Sequence, residues 1–264
     1  MFESNGLLQV TIAASSLTSL GEVPLTVVNP APGGGEGALV TITPYQVLGI
    51  NPSFIVSVPA TNLMYAAIPA SSTTDPNTVV PIDPTTGTLG TPIPVGNNPV
   101  LMAASNDGSY LYVALAADQT VRRINMTTNT VDRTFPYSPN PFCTGCSILA
   151  ATDLKTIPGS PQEVVLSQGS MVSLYNDNGL VNYVPNAFVE YNAPSFNSIA
   201  FAGNPLALYA LPFTDVQNPF FTTVPITGSG LQYTEFMGTN YGPPSGTGSQ
   251  VISDGTLLYT DSGE

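Results

Sequence analysis

Repeated short β-strands, frequent turn residues and a recurring leucine–tyrosine pair mark this 264-residue chain as all-β. The clearest stretch is residues 97–137, NNPVLMAASNDGSYLYVALAADQTVRRINMTTNTVDRTFPY. An apolar run from Val100 to Ala104 meets a turn at Asn106-Asp107-Gly108, and an alternating strand follows from Tyr110 to Leu115. Thr120 to Asn125 and Thr130 to Phe135 complete four strands separated by Asp/Asn/Gly turns. The second observation is a period. Leu-Tyr pairs end at Tyr112, Tyr209 and Tyr259, and Leu63-Met64-Tyr65 is their counterpart upstream. Tyr65 to Tyr112 is 47 positions, Tyr112 to Tyr209 is 97, and Tyr209 to Tyr259 is 50. The third is punctuation: 26 prolines and 24 glycines leave no room for long helices. Four antiparallel strands recurring every 40 to 50 residues or so describe a β-propeller.

The elements follow in order. Leu7-Leu8-Gln9-Val10-Thr11-Ile12 alternates, Gly21 to Val28 reads as a second strand and Ala38-Leu39-Val40-Thr41-Ile42 as a third. Asn29-Pro30-Ala31-Pro32-Gly33-Gly34-Gly35 separates the last two. Residues 45–52 read as a linker, and 53–264 as the repeat. Within it, the third strands Thr78-Val79-Val80-Pro81-Ile82 and Thr120-Val121-Arg122-Arg123-Ile124 correspond. The double-length gap between Tyr112 and Tyr209 implies one blade without its tyrosine, near Glu163-Val164-Val165-Leu166.

Ser105-Asn106-Asp107-Gly108, Leu111-Tyr112-Val113-Ala114, Thr120-Val121, Ile124 and Pro92-Ile93-Pro94-Val95-Gly96 together resemble the blade pattern of the YVTN family of seven-bladed propeller repeats. The resemblance implies a secreted or surface-exposed bacterial or archaeal protein, often a binding or scaffold module. The proline–glycine segment before Ala38 resembles the closing part of an immunoglobulin-like IPT/TIG domain, covering about 40 residues where a complete sandwich needs about 100. The expected organisation is therefore a truncated IPT/TIG-like domain over residues 1–44 and a partial propeller of about four and a half blades. A ring of seven would need roughly 300 residues. The expectation is a fragment forming an open arc, with a rarer small ring as the alternative. No signal peptide opens the sequence.

Charged residues make up only 8% of the chain, yet 17 acids face 4 bases for a net charge of −13. Polar uncharged residues must supply solubility, as in many exported proteins. The acid excess argues against nucleic acid, which needs a basic stripe. No apolar stretch approaches the 18 or so residues of a membrane-spanning helix.

The cysteines are Cys143 and Cys146, in Cys-Thr-Gly-Cys. Three readings compete: a local disulfide, a metal site and a redox pair. A disulfide fits an exported chain. A metal site lacks a second pair and any histidine. A redox pair wants a helix N-terminus, and Pro139 and Pro141 precede this one. The chain has no histidine, which removes Ser-His-Asp and Cys-His mechanisms. Carboxylates at Glu163, Asp177, Glu190 and Asp215 remain as groups that could face an axial funnel, against the plainer reading of solvated turn residues. No catalytic residue, metal ligand or cofactor is therefore assigned.

Three of the four basic residues, Arg122, Arg123 and Arg133, fall in one blade. Alternation sends Arg122 and Arg123 to opposite faces. They form either an anion-binding spot or ion pairs with acids such as Asp132 and Asp118, the plainer reading. Asn125-Met126-Thr127 is a glycosylation sequon. Phe213, Phe220, Phe221, Tyr233, Phe236 and Tyr241 cluster in sequence and suit inter-blade packing more readily than sugar stacking. The functional expectation is a non-catalytic, exported or cell-surface interaction protein of a prokaryote. It would bind protein or polysaccharide, and self-associate through open strand edges. A structural subunit of an extracellular appendage and a lactonase-like enzyme using carboxylates are the alternatives.

Overall fold

The computed structural model describes residues 2–4, 7–8, 11–12, 23–28, 32–37, 40–42, 47–139, 147–169, 171–185, 198–202, 206–211, 222–232 and 250–260. The chain divides into two compact units, residues 1–49 with 82–90 and residues 50–81 with 91–264. Among the described residues there is no α-helix, and the helical turn present is a 3-10 turn at Pro59–Thr61.

In the first unit, β1 (Phe2–Ser4) pairs with β2 (Leu7–Leu8) and β3 (Val23–Leu25) with β4 (Val40–Ile42), both antiparallel. Beyond β3, Val28 and Glu36 form an antiparallel bridge. Gly37 N–H donates to Val27 O at 2.7 Å, and a Cβ at Gly37 would stand 3.3 Å from that oxygen. The segment 82–90 is a turn closed by Asp83, whose carboxylate accepts from Thr85 N–H (2.8 Å) and the Thr86 hydroxyl (2.9 Å).

The second unit is the repeat. Its first sheet runs β5 (Phe54–Val58), β6 (Leu63–Ile68), β7 (Thr78–Ile82), β8 (Ile93–Pro94). The second runs β9 (Pro99–Ala104), β10 (Tyr110–Leu115), β11 (Thr120–Asn125), β12 (Thr130–Pro136). The third runs β13 (Asp153–Ile157), β14 (Ser160–Ser167), β15 (Met171–Asn176), β16 (Gly179–Pro185). The fourth runs β17 (Ser198–Ala202), β18 (Ala207–Leu211), β19 (Thr222–Thr227), β20 (Gly230–Leu231). A two-stranded fifth sheet follows, β21 (Val251–Ser253) and β22 (Leu258–Thr260). In each of these sheets the strands stand in chain order. The first strands β5, β9, β13, β17 and β21 lie against one another in succession, as the inner strands of propeller blades do.

The expected tyrosines fall on equivalent strands. Tyr65, Tyr112, Tyr209 and Tyr259 occupy the second strands of sheets one, two, four and five, and the apolar run Val164–Leu166 occupies the second strand of sheet three. The second strands of sheets two and three are apolar on both faces because each face meets a neighbouring sheet. On β10, Leu111, Val113 and Leu115 pack with Tyr65, Val79 and Ile93 of the first sheet. Tyr112 and Ala114 turn the other way, onto Leu154, Val164 and Leu166 of the third. Val165, Val172 and Leu174 then meet Ile199, Leu208 and Val224 of the fourth. Truncating a fully buried anchor such as Leu111 to alanine costs roughly 2–5 kcal/mol.

Candidate functional site

The inner strands line an open cavity of about 650 Å³. All five sheets contribute to its wall. Phe54, Val56, Met102, Ala200, Phe201 and Ile252 make it largely apolar. Asn106, Lys155, Thr156 and Asp254 supply its polar groups. Strand alternation explains the mixture. On β13, Leu154 and Thr156 face the second sheet, where the Thr156 hydroxyl donates to Ala104 O at 2.7 Å, while Asp153, Lys155 and Ile157 face the fourth.

Both charged groups at the cavity are engaged. Lys155, the only lysine of the chain, pairs with Asp153 at 2.8 Å. Asp153 also accepts from Ile199 N–H across the sheet boundary at 2.9 Å. The Asp254 carboxylate accepts from Thr256 N–H and Leu257 N–H, both 2.8 Å, and from the Tyr259 hydroxyl, 2.9 Å. The Leu257 N–H first, and the other two donors after it, hold the Asp254 pKa below its ordinary value. Glu163 and Asp177 do not line this cavity. They border a separate hollow of about 630 Å³ at the turns of the third sheet. Glu190 and Asp215 lie outside the described residues, as do Cys143, Cys146 and the six clustered aromatics.

The three arginines lie in three different settings. Arg123 is 2% exposed and spans two sheets. Its Nε and Nη2 donate to Asp132 at 3.0 and 2.9 Å, and its Nη1 donates to Asp177 of the third sheet. Its guanidinium carbon stands 4.0 Å over the Tyr110 ring. A β-bulge makes this possible. Arg123 opposes Arg133 and Ile124 opposes Val131, so Asp132 is the extra residue, turned toward Arg123. Burial opposes the Arg123 charge, but the bonds to Asp132, Tyr112 and Asp177 outweigh it and raise the pKa. Burial pushes the neighbouring Tyr112 phenol up to about 12, against the pull of Arg123, and its hydroxyl donates to Pro161 O at 3.0 Å.

Arg122 points to the opposite face and reaches Asp118 at 3.7 Å. Asp118 in turn accepts from Asn97 N–H (3.0 Å) and Asn97 Nδ2 (2.9 Å), which lower its pKa. Gly96, at φ +110°, passes so close that a Cβ there would stand 2.5 Å from an Asp118 oxygen. Arg133 is exposed and donates to Asp132 O at 3.0 Å. Asn125 ends β11, and its side-chain oxygen accepts from Thr127 N–H at 2.9 Å, closing the hairpin turn that carries the sequon.

A fastening that composition did not signal joins the third and fourth sheets. Asn182 Nδ2 donates to Leu231 O (2.7 Å) and its Oδ1 accepts from Leu231 N–H (3.2 Å), so one side-chain amide takes the place of a strand neighbour. Among the described residues no three or more His, Cys, Asp and Glu side chains gather as a metal site. No helix described there is long and apolar enough to cross a membrane.

No protein-family model and no curated protein sequence matches the chain. In three dimensions it is similar to hydrazine synthase of Kuenenia stuttgartiensis, at TM-score 0.52 and 14% identity, over 68% of this chain and 47% of that one. The chain thus spans about half the length of that relative in structure. The U3-55K structure (TM-score 0.45, 12% identity) and the WD40 repeats of RRP9 (TM-score 0.45, 13% identity) superpose on 62% of this chain and cover 59% and 58% of theirs. The first likeness agrees with the propeller architecture and carries the fold alone.

Proposed function

We propose that this chain is a non-catalytic interaction module of a secreted or cell-surface prokaryotic protein, and that its partner is a protein or a polysaccharide. The observation that carries this reading is the state of the axial cavity. Its walls are largely apolar, and its two charges are already committed, Lys155 to Asp153 and Asp254 to its own turn and Tyr259. General acid–base work needs a group positioned to exchange a proton with a bound molecule. Here those groups serve the scaffold. The resemblance of the Leu111–Ala114 blade to YVTN repeats supports an exported setting, and with it the division into an IPT/TIG-like part (1–44), a linker (45–52) and a propeller (53–264).

The test sets binding against turnover. The purified chain is titrated with cell-envelope polysaccharide and with secreted protein fractions, and screened in parallel against lactones and glycosides. Saturable binding without turnover is the expected result. Turnover that disappears in Asp254→Asn would overturn the reading in favour of a carboxylate enzyme.

A further inference from the structure

We propose that Asn178 is a self-modification site, where the chain turns its own asparagine into aspartate and isoaspartate, and that the change releases the Arg123–Asp177 contact between sheets two and three. The inference does not depend on the interaction-module reading. Asp177 and Asn178 form the turn between β15 and β16, and Asn178 is exposed. Gly179 follows at φ +105°, and a Cβ there would meet nothing within 4 Å. The Asn178 backbone N–H donates to Asn176 Oδ1 at 2.9 Å, but no described residue holds the Asn178 side-chain amide. That amide can fold back over the Gly179 nitrogen, which no side chain of its own residue shields. The chain has another Asn-Gly pair, Asn5-Gly6, outside the described residues.

The step needs only water. The Gly179 nitrogen gives its proton to solvent and bonds to Asn178 Cγ, while the bond from Cγ to Nδ2 breaks and ammonia leaves with a proton from solvent. Water then opens the cyclic imide. Opening at Cγ gives aspartate, and opening at the main-chain carbonyl gives isoaspartate, whose backbone is longer by a methylene. Nothing is oxidised or reduced. The Asp-Gly turns lack this freedom, because an ionised carboxylate resists attack and theirs are held. Asp107 accepts three hydrogen bonds, and a Cβ at Gly108 would stand 2.8 Å from Ala60 Cβ. Asp254, before Gly255, also accepts three. At Asn178 the longer backbone shifts the turn that aims Asp177 at Arg123. The new carboxylate also repels Asp177 and Glu163, which border the same hollow.

Ageing the full chain in mildly alkaline buffer tests the proposal, read by peptide mass, by enzymatic methyl labelling of isoaspartate and by the thermal midpoint. The peptide carrying residues 171–185 is expected to gain one mass unit, with the label, faster than any other described asparagine. Asn178→Ser is expected to gain neither. The midpoint falls as the mass rises. Asn178→Asp, which adds the charge without lengthening the backbone, lowers it by less. In Asp177→Ala the contact is already gone, so Asn178 still converts but the midpoint moves several-fold less than in wild type. An Asn178 that keeps its mass overturns the proposal. So does conversion that leaves the midpoint unmoved, or that moves it as far in Asp177→Ala as in wild type. Hydrogen exchange on the aged wild type covers an Asp177→Ala that does not fold. Protection of β11, which carries Arg123, must fall with conversion while that of β6 in the first sheet does not, and equal loss in both overturns the proposal.

Discussion

The boundary between sheets two and three and the boundary between sheets three and four bring together the same strands in the same order, but they are fastened differently. The first is aromatic and charged. Tyr112, Phe135 and Tyr175 pack in a row, with ring centroids 6.5 and 5.6 Å apart, and Arg123 crosses the gap to Asp177. The second is aliphatic, built from Val165, Leu174, Ile199 and Leu208, and its fastening is the neutral Asn182 amide on the Leu231 backbone. The repeat therefore specifies strand order and apolar faces, while each boundary has its own polar lock. A buried guanidinium must be matched by carboxylates or it is costly. An amide that mimics a backbone group needs only one strand edge at the right depth.

The sharpest way to break that comparison is Arg123→Ala. It leaves Asp132 and Asp177 facing each other without a cation, and removes the cation over Tyr110. Because both carboxylates are partly exposed, the loss is set near the low end for a broken buried pair, about 3 kcal/mol. Chemical denaturation reads it as a fall in midpoint. A loss below about 1 kcal/mol would make the cluster no stronger than a surface pair. The triple change Arg123→Met, Asp132→Asn, Asp177→Asn sharpens the point: most of the stability returns if the charges serve alignment more than strength.

Gly230→Ala tests the other boundary. Gly230 has φ +101°, and a Cβ there would stand 2.5 Å from Asn182 Oδ1. The strain and the displaced amide together cost about 2 kcal/mol. Asn182→Ala removes the two bonds without the clash and costs about 1–2 kcal/mol, with faster hydrogen exchange at the Leu231 amide. Since both changes act on one contact, the double variant should lose less than the sum of the two. Additive losses would mean that the amide and the glycine act independently.

Much of this fold was legible and little of its locking was. The tyrosine spacing placed Tyr65, Tyr112, Tyr209 and Tyr259 on second strands, and the apolar run at Val164–Leu166 marked the blade without one. Those signals are local, because a strand buried on both faces must be apolar along its length. Alternation also separated Arg122 from Arg123. What alternation could not supply was the bulge that turns Asp132 back onto the Arg123 face, because an inserted residue breaks the period that the reading depends on. Asp177 lies 54 positions from Arg123 and Leu231 lies 49 from Asn182, so these partners are set by how one sheet lies on the next. In sequence, Asn182 looks like any polar strand residue.

The smallest expected effect separates the turns from both boundaries. Asp107 closes the turn before β10, accepting from the Ser109 hydroxyl (2.6 Å), the Ser105 hydroxyl (2.7 Å) and Ser109 N–H (3.0 Å). The Ser109 hydroxyl first, and the others after it, hold its pKa below the ordinary 3.8. As pH falls, the unfolded chain therefore takes up this proton before the folded one does. The contribution of Asp107 is full above its unfolded pKa, near 3.8, and is lost as pH falls through the lower folded value. Asp107→Asn cannot titrate, so its thermal midpoint should lie below wild type at pH 7, with the two curves converging under pH 3 or so. Arg123→Ala removes a cation that stays charged over this range, so its deficit should not follow the Asp107 transition. Wild type and Asp107→Asn falling in parallel from pH 7 down would show that the turn carboxylate contributes nothing through its charge, and that shape alone holds this turn.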